Sequence, residues 1–182
     1  MYDINFYMKS YPWLQRLESG ENISKEKLAN LWEEFRSKEP IIYNIETTNN
    51  CNMRCKMCPR TTKMTRRITY LEQEFYNGIF EQIKPHNEEL WAKWEKFCTE
   101  TYGIAPDSEP SENHFFLYII PRVVQLHGYG DPLLDKNLSN VVKSLTKHGF
   151  ESYFSCNPAN INIEKTEEMM MLRVLLSKWK RA

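Results

Sequence analysis

The chain has 182 residues, which is enough for one domain with a sizeable core. It carries 24 basic and 24 acidic residues, so net charge provides no general attraction to nucleic acid or to an anionic membrane. No apolar run is as long as a membrane span, and the first residues lack the pattern of a signal peptide. Three of the five cysteines are clustered, which favours metal binding in a reducing compartment, and we expect a cytoplasmic protein.

Residues 1–40 are expected to form a helical arm ahead of the main domain. The first 21 residues are rich in aromatic side chains and predict a short helix or arm that covers the edge of a barrel. Ser24 is a favourable N-cap for a second helix that extends to about Lys38. Pro40 ends this helix, so the main domain is expected to cover residues 41–182.

The first part of the main domain predicts a strand, a helix and an insertion. An apolar run at 41–47 is typical of a strand that is buried on both faces. A helix is predicted over residues 71–84, and its core face consists of Phe75, Ile79, Phe80 and Ile83. Residues 86–113 are expected to form a helical insertion that ends in a polar loop.

The second part continues the alternation of strands and helices. Residues 115–120 and 123–127 are β-rich runs, and residues 153–155 predict a further short strand. A helix over 135–147 has its core face at Leu138, Val141, Val142 and Leu145, and His148-Gly149 ends it. The last predicted helix carries Met169, Leu172, Leu175, Leu176 and Trp179 on one side. This order indicates an α/β fold with a parallel sheet and right-handed crossovers.

Three cysteines, Cys51, Cys55 and Cys58, lie within eight residues directly after the first predicted strand. Iron–sulfur clusters and structural zinc sites usually take four protein ligands. A loop with three thiols therefore leaves one position that is either completed from elsewhere or open. An open position on iron can bind a substrate or a cofactor directly.

Two further polar turns follow the next predicted strands. Residues 128–132 follow the second strand, and Ser155 and Asn157 lie at the end of the third. In parallel α/β folds, ligands bind at the carboxyl ends of the strands. We therefore expect the cysteine segment and both turns to share one pocket.

The spacing C-x3-C-x2-C after a first strand resembles the signature of the radical S-adenosylmethionine (radical SAM) enzymes. The run from Cys51 to Arg67 is similar to a subgroup that often carries a C-terminal SPASM extension. The resemblance implies that Cys51, Cys55 and Cys58 bind a [4Fe–4S] cluster whose fourth iron chelates SAM. It implies an enzyme that receives an electron from an external one-electron reductant and cleaves SAM to a 5′-deoxyadenosyl radical. That radical abstracts hydrogen from an unknown substrate, and the subgroup suggests a peptide.

The turn at 128–132 resembles the Gly-Gly-Glu-Pro motif that holds the SAM ammonium group in this family. Gly130 and Pro132 match the motif, whereas Tyr129 replaces the first glycine. Asp131 stands where the family prefers glutamate, so its carboxylate reaches about one methylene less far. Taken alone, Gly-Asp-Pro is also a common turn sequence.

Other positions of the resemblance provide further SAM contacts. Met57 occupies a position beside the adenine, and a polarizable thioether can cover a ring. Ser155 and Asn157 resemble the polar end of the third strand that contacts SAM. Both residues are equally well explained as ordinary turn formers.

The resemblance implies a partial (β/α)6 barrel, of which this chain supplies about three strand–helix units. A half barrel leaves the third strand as an exposed edge that can pair with another chain. We therefore expect a dimer, or a partner chain that completes the barrel, and a truncated or split gene product would have the same pattern.

Two other interpretations remain open. In the first, the chain is a non-catalytic iron–sulfur or zinc module, and Cys98, Cys156 or His127 supplies the fourth ligand. In the second, it is an inactive remnant with a structural or regulatory role. Cys98 and Cys156 are otherwise typical of small buried hydrophobic residues.

Overall fold

The computed structural model describes residues 1–170, which form two compact units. Unit 1 consists of residues Met1–Ile41 and Pro85–Arg122, and unit 2 consists of Ile42–Lys84 and the chain from Val123 onward. Four of the residues predicted for the last helix, Leu172, Leu175, Leu176 and Trp179, lie outside the described part. Within residues 1–170, no helix has both the length and the apolar character that crossing a membrane requires.

The described chain contains more helix than strand. The helices are α1 (Ile4–Glu18), α2 (Lys25–Phe35), α3 (Pro59–Lys63), α4 (Gln73–Phe80), α5 (Glu88–Tyr102), α6 (Glu112–His114), α7 (Leu138–Lys147) and α8 (Ile163–Met170). A π-helical turn at Phe115–Ile119 continues α6, and the strands are β1 (Val123–Gln125) and β2 (Glu151–Tyr153). Two 3-10 turns, Pro132–Leu134 and Pro158–Asn160, follow the strands.

Unit 1 is helical and has an aromatic core. Ile4, Trp94, Cys98 and Tyr118 are fully or almost fully buried and pack together. The predicted cap of α2 is confirmed, since the Ser24 hydroxyl accepts a hydrogen bond from the N–H of Lys27 at 3.2 Å. The helix predicted within the insertion is also present as α5.

The predicted strand at residues 115–120 is wrong, because this run is helical. Tertiary contacts of unit 1 outweigh the β propensity of its aromatic and branched residues. The indole N–H of Trp94 donates to the carbonyl of Leu117 at 2.7 Å, and the hydroxyl of Tyr118 donates to the carbonyl of Ile104 at 2.8 Å. Tyr118 is thereby held in the core of unit 1.

Unit 2 contains a parallel sheet. β1 pairs with β2 in register Val123 to Glu151, and Asn44 forms a single parallel bridge with Gln125 on the other side of β1. The backbone N–H of Ile45 donates to the carbonyl of Gln125 at 2.8 Å. The predicted first strand is therefore reduced to one bridge, and the third strand begins at Glu151, two residues earlier than predicted. The described part thus mixes helices with a small parallel sheet of two strands, which is compatible with the predicted α/β class, whereas the partial barrel stays a prediction.

Helix α7 packs against β2 of this sheet, and α4 packs against α7. All four predicted core residues of α7, Leu138, Val141, Val142 and Leu145, are completely buried. Gly149 adopts a positive φ of 82° directly after α7, as expected of a glycine that ends a helix. In α4 the prediction was wrong for Phe75, which is 62% exposed, because the buried face is formed by Tyr76 and Phe80.

Candidate functional site

Three loops of unit 2 meet at the carboxyl ends of the three parallel segments. The loop after Ile45 leads into the cysteine segment, and the other two follow β1 and β2. The backbone N–H of Asp131, after β1, donates to the carbonyl of Asn50 at 2.7 Å. The backbone N–H of Asn157, after β2, donates to the carboxylate of Asp131 at 2.8 Å. The three predicted segments are thus adjacent, as the parallel strand order leads us to expect.

Asp131 is the central residue of this junction and is only 3% exposed. Its Oδ1 accepts a hydrogen bond from the N–H of Leu133 at 2.9 Å. Its Oδ2 accepts bonds from the N–H of Asn157 at 2.8 Å and from Nδ2 of Asn160 at 2.7 Å. Three donors therefore already satisfy the carboxylate for which the resemblance implies a contact with the SAM ammonium group. The structural role of Asp131 is to join the turn after β1 to the loop after β2.

Asn52 extends the junction into the cysteine segment. Its Nδ2 donates to Oδ1 of Asn160 at 2.8 Å, and its own Oδ1 accepts from Nδ2 of Asn160 at 3.1 Å. The side-chain amide of Asn157 also approaches Asn52 Oδ1 at 3.4 Å. Our sequence reasoning missed Asn52 and Asn160, because asparagines in loops are common turn formers and carry no distinguishing signal.

Gly130 allows two backbones to come into direct contact. A Cβ atom at this position would lie 2.0 Å from the carbonyl oxygen of Thr48 and 2.8 Å from that of Asn50. Any side chain would therefore displace the segment that leads into the cysteines. The following Pro132 is buried and begins the 3-10 turn, so the motif residues Gly130 and Pro132 both have a structural reason to be present.

Glu46 connects two parts of the site and was also missed by the sequence reasoning. Its Oε1 accepts a hydrogen bond from the backbone N–H of Tyr129 at 2.7 Å, and its Oε2 pairs with Arg66 at 2.8 Å. The hydrogen bond to Glu46 raises the pKa of Arg66. The guanidinium of Arg66 lies 5.4 Å from the centroid of the Tyr129 ring. The sequence offered one signal for Glu46: it is the last acidic residue before a basic segment, since no acidic residue follows it until Glu72.

The cysteine segment is accessible. Cys55 is exposed, Cys51 and Cys58 are half-buried, and all three are free thiols. The backbone N–H of Cys58 donates to the carbonyl of Cys55 at 3.1 Å, and Cys58 immediately precedes α3. Met57 is 93% exposed. Three free thiols on one accessible loop fit the ligand chemistry of an iron–sulfur cluster.

These thiols are not gathered into a finished metal site. In the part of the chain that the structure describes, no group of three His, Cys, Asp or Glu side chains lies close enough to hold a metal ion. Cluster binding would therefore require the segment to close around the metal. Such coupling between metal binding and local folding is common in small metal-binding loops.

The residues considered as a fourth ligand are poorly suited to that role. Cys98 lies in the core of unit 1, where burial raises the pKa of its thiol from 9.0 to about 12, so it stays protonated near neutral pH. Burial and the nearby Asp131 also raise the pKa of Cys156. Burial lowers the pKa of His127, and its Nδ1 accepts a hydrogen bond from the N–H of Ser155 at 3.3 Å. Only Nε2 of that ring is left to bind a metal.

The sequence matches no protein-family model and no curated protein. A solved structure, that of BtrN in complex with AdoMet and 2-DOIA, is similar to this chain at 15% sequence identity with a TM-score of 0.48. The alignment covers 75% of this chain and 44% of the BtrN chain. The chain therefore spans less than half the length of BtrN.

Proposed function

We propose that this chain is a radical SAM enzyme, or the N-terminal part of one, and that unit 2 forms the front of a partial (β/α)6 barrel. Cys51, Cys55 and Cys58 would hold a [4Fe–4S] cluster, which supplies the electron that cleaves SAM. The observation that carries the proposal is the junction of the cysteine segment with the loops after β1 and β2, through Asn52, Asn160 and Asp131.

The remaining residues of the site would position SAM. The motif residues Tyr129, Gly130, Asp131 and Pro132 form a turn that is fixed from both sides, by Glu46 at one end and by Asn50 at the other. Asp131 would act by orienting the N–H of Asn157 and the side chain of Asn160. Met57 and Ser155 are exposed, so they would be accessible to a ligand when the cysteine segment closes. Holding a ligand by groups that are already oriented lowers the entropy cost of the reaction.

The partners follow from this chemistry and are part of the proposal. An external one-electron reductant would approach the exposed cysteine segment. The substrate would carry an unreactive C–H bond, and the subgroup resemblance favours a peptide. A second copy or a partner chain would complete the barrel beyond β2.

Anaerobic reconstitution of the full chain with iron and sulfide tests the proposal. Electron paramagnetic resonance of the reduced protein should show a [4Fe–4S] signal that changes when SAM is added. The Cys55→Ala variant should lose the signal, whereas the matched Cys98→Ala variant should keep it. A protein that binds only zinc, or a cluster spectrum that SAM leaves unchanged, would contradict the proposal.

A further inference from the structure

Unit 2 has a cavity beside the cysteine segment that no part of the proposed function uses. Its volume is about 290 Å³, and its lining residues are Arg54, Arg60, Thr61, Met64 and Ile68. This space is large enough for a small organic group. Ligand pockets typically begin at about this size.

Two guanidinium groups give the cavity its positive charge. Nε of Arg60 donates to the carbonyl of Asn49 at 3.0 Å, which anchors this half-buried side chain. Within residues 1–170, the two terminal amino groups of Arg60 have no hydrogen-bond partner, and the exposed Arg54 side chain has no partner either. A guanidinium with free terminal donors is well suited to bidentate binding of a carboxylate or a phosphate.

None of the residues that line the cavity is acidic. The segment between Glu46 and Glu72 has no acidic residue, and its cations are Arg54, Lys56, Arg60, Lys63, Arg66 and Arg67. Of these, Arg66 is paired with Glu46. The charged residues of the lining are therefore both cationic, and so are those of the segment that carries them, which favours anions.

The lining also contains apolar side chains, those of Met64 and Ile68. Met64 is half-buried and Ile68 is 55% exposed, and Thr61 adds a hydroxyl group. Two cations and two apolar side chains in one lining fit a ligand that has one anionic group and a small apolar body. An inorganic anion would leave these apolar side chains in contact with water.

We infer that the cavity between Arg54 and Arg60 binds the carboxylate or phosphate group of a small organic anion other than SAM. Arg54 lies between Cys51 and Cys55, and Arg60 follows Cys58 by two residues. A ligand in the cavity would thus lie against the segment that is proposed to hold the cluster. If the proposed function holds, the cavity would be a subsite for the substrate. The binding of an organic anion does not depend on the proposed function.

A nuclear magnetic resonance titration of the isotope-labelled full chain tests this site. The probes are 3-phenylpropionate and phenyl phosphate, with the neutral 3-phenylpropanamide and acetate as comparisons. We expect one of the two aromatic anions to shift the backbone signals around the cavity. The amide and acetate should each bind at least about tenfold more weakly than the aromatic anion. The amide lacks the anionic group, and acetate lacks the apolar body.

Matched variants separate a built site from diffuse attraction. Arg54→Gln should weaken binding of the aromatic anion about tenfold, whereas Arg67→Gln, on the same segment but outside the cavity, should change it by less than about twofold. Equal losses in both variants, equal binding of the neutral amide, or displacement of the probe by SAM would each overturn the inference. The triple variant Cys51→Ala, Cys55→Ala, Cys58→Ala should keep the probe site while losing the cluster. Failure of the proposed function is therefore distinguishable from failure of the anion site.

Discussion

The side-chain amide of Asn160 donates a hydrogen bond to the carboxylate of Asp131 at 2.7 Å, across 29 positions of sequence. The same oxygen accepts the backbone N–H of Asn157, and Asp131 is almost completely shielded from water. The hydrogen bonds hold the Asp131 carboxylate in place, and they also fix the positions of Asn157 and Asn160. The pair therefore fixes the relative position of the loops after β1 and β2.

Asp131→Asn should destabilise unit 2. The amide keeps the shape of the side chain but removes its charge. Its N–H₂ group would also face at least one of the three hydrogen-bond donors that now bind the carboxylate, and that donor would lose its acceptor. We expect the free energy of unfolding to fall by about 1.5–3 kcal/mol, the range for hydrogen bonds to a charged group. Urea denaturation measures this change. The same substitution at the exposed Asp107 should stay within about 0.5 kcal/mol, and equal effects at both positions would contradict the assigned role.

Two phenylalanines of α4 provide a test of the core. Phe80 is 1% exposed, whereas Phe75, on the same helix, is 62% exposed. Phe80→Ala should cost about 3–5 kcal/mol of stability because it leaves a cavity, and Phe75→Ala should cost far less. Thermal or urea unfolding of the two variants measures the difference. A larger loss at Phe75 would show that the face of α4 carrying Phe75, and not the face carrying Phe80, is the buried one.

Glu46→Ala should loosen the turn after β1. The substitution removes the acceptor for the N–H of Tyr129 and the ion pair with Arg66. We expect the amide of Tyr129 to exchange with solvent roughly tenfold faster, which corresponds to the loss of one net hydrogen bond. Hydrogen exchange followed by mass spectrometry or nuclear magnetic resonance measures this rate.

Arg66→Gln is the matched control for that experiment. It removes the ion pair of the exposed Arg66 with the half-buried Glu46 and keeps the carboxylate that accepts the N–H of Tyr129. Solvent-accessible pairs of this kind contribute little, so the exchange rate at Tyr129 should hardly change. Equal acceleration in both variants would mean that the ion pair, and not the backbone hydrogen bond, holds the turn.

His127 should make unit 2 less stable in mild acid. Burial lowers the pKa of its ring below the ordinary 6.5, and Nδ1 serves as an acceptor for the N–H of Ser155. Below about pH 6.5 the unfolded chain binds a proton that the folded chain resists, so stability is full above this pH and falls as the pH decreases. His127→Asn keeps an acceptor near the position of Nδ1 but cannot titrate. Its free energy of unfolding should depend less on pH between about 5 and 7, and an unchanged slope would exclude His127 as the cause.

The elements that could be predicted are those with strong local patterns. The apolar positions of α7 recur at helical spacing, and a glycine follows the helix. The sequence therefore predicted both the core face of α7 and its end. Ser24 indicated the start of α2 in the same way. Residues 115–120 misled because their aromatic and branched side chains favour strands, whereas the contacts of Trp94 and Tyr118 that decide the outcome are made within unit 1.

The candidate site was predictable to the level of segments but not of contacts. Chain order placed the cysteine segment and the turn at 128–132 after parallel strands, and strand polarity brought them to one edge. The bonds of Asn52 to Asn160 join residues 108 positions apart, and no local pattern records such a pair. Glu46 offered a faint signal as the last acid before the cysteines, but its partners became evident only in three dimensions.

Because Gly130 has no side chain, the turn after β1 can lie directly against the chain that enters the cysteine segment. A single methyl group there would push Thr48 and Asn50 outward, and the thiols that follow would be carried along. Redesign of this protein for another ligand must therefore treat residues 48–50 and residue 130 as one unit, to be altered together or left alone.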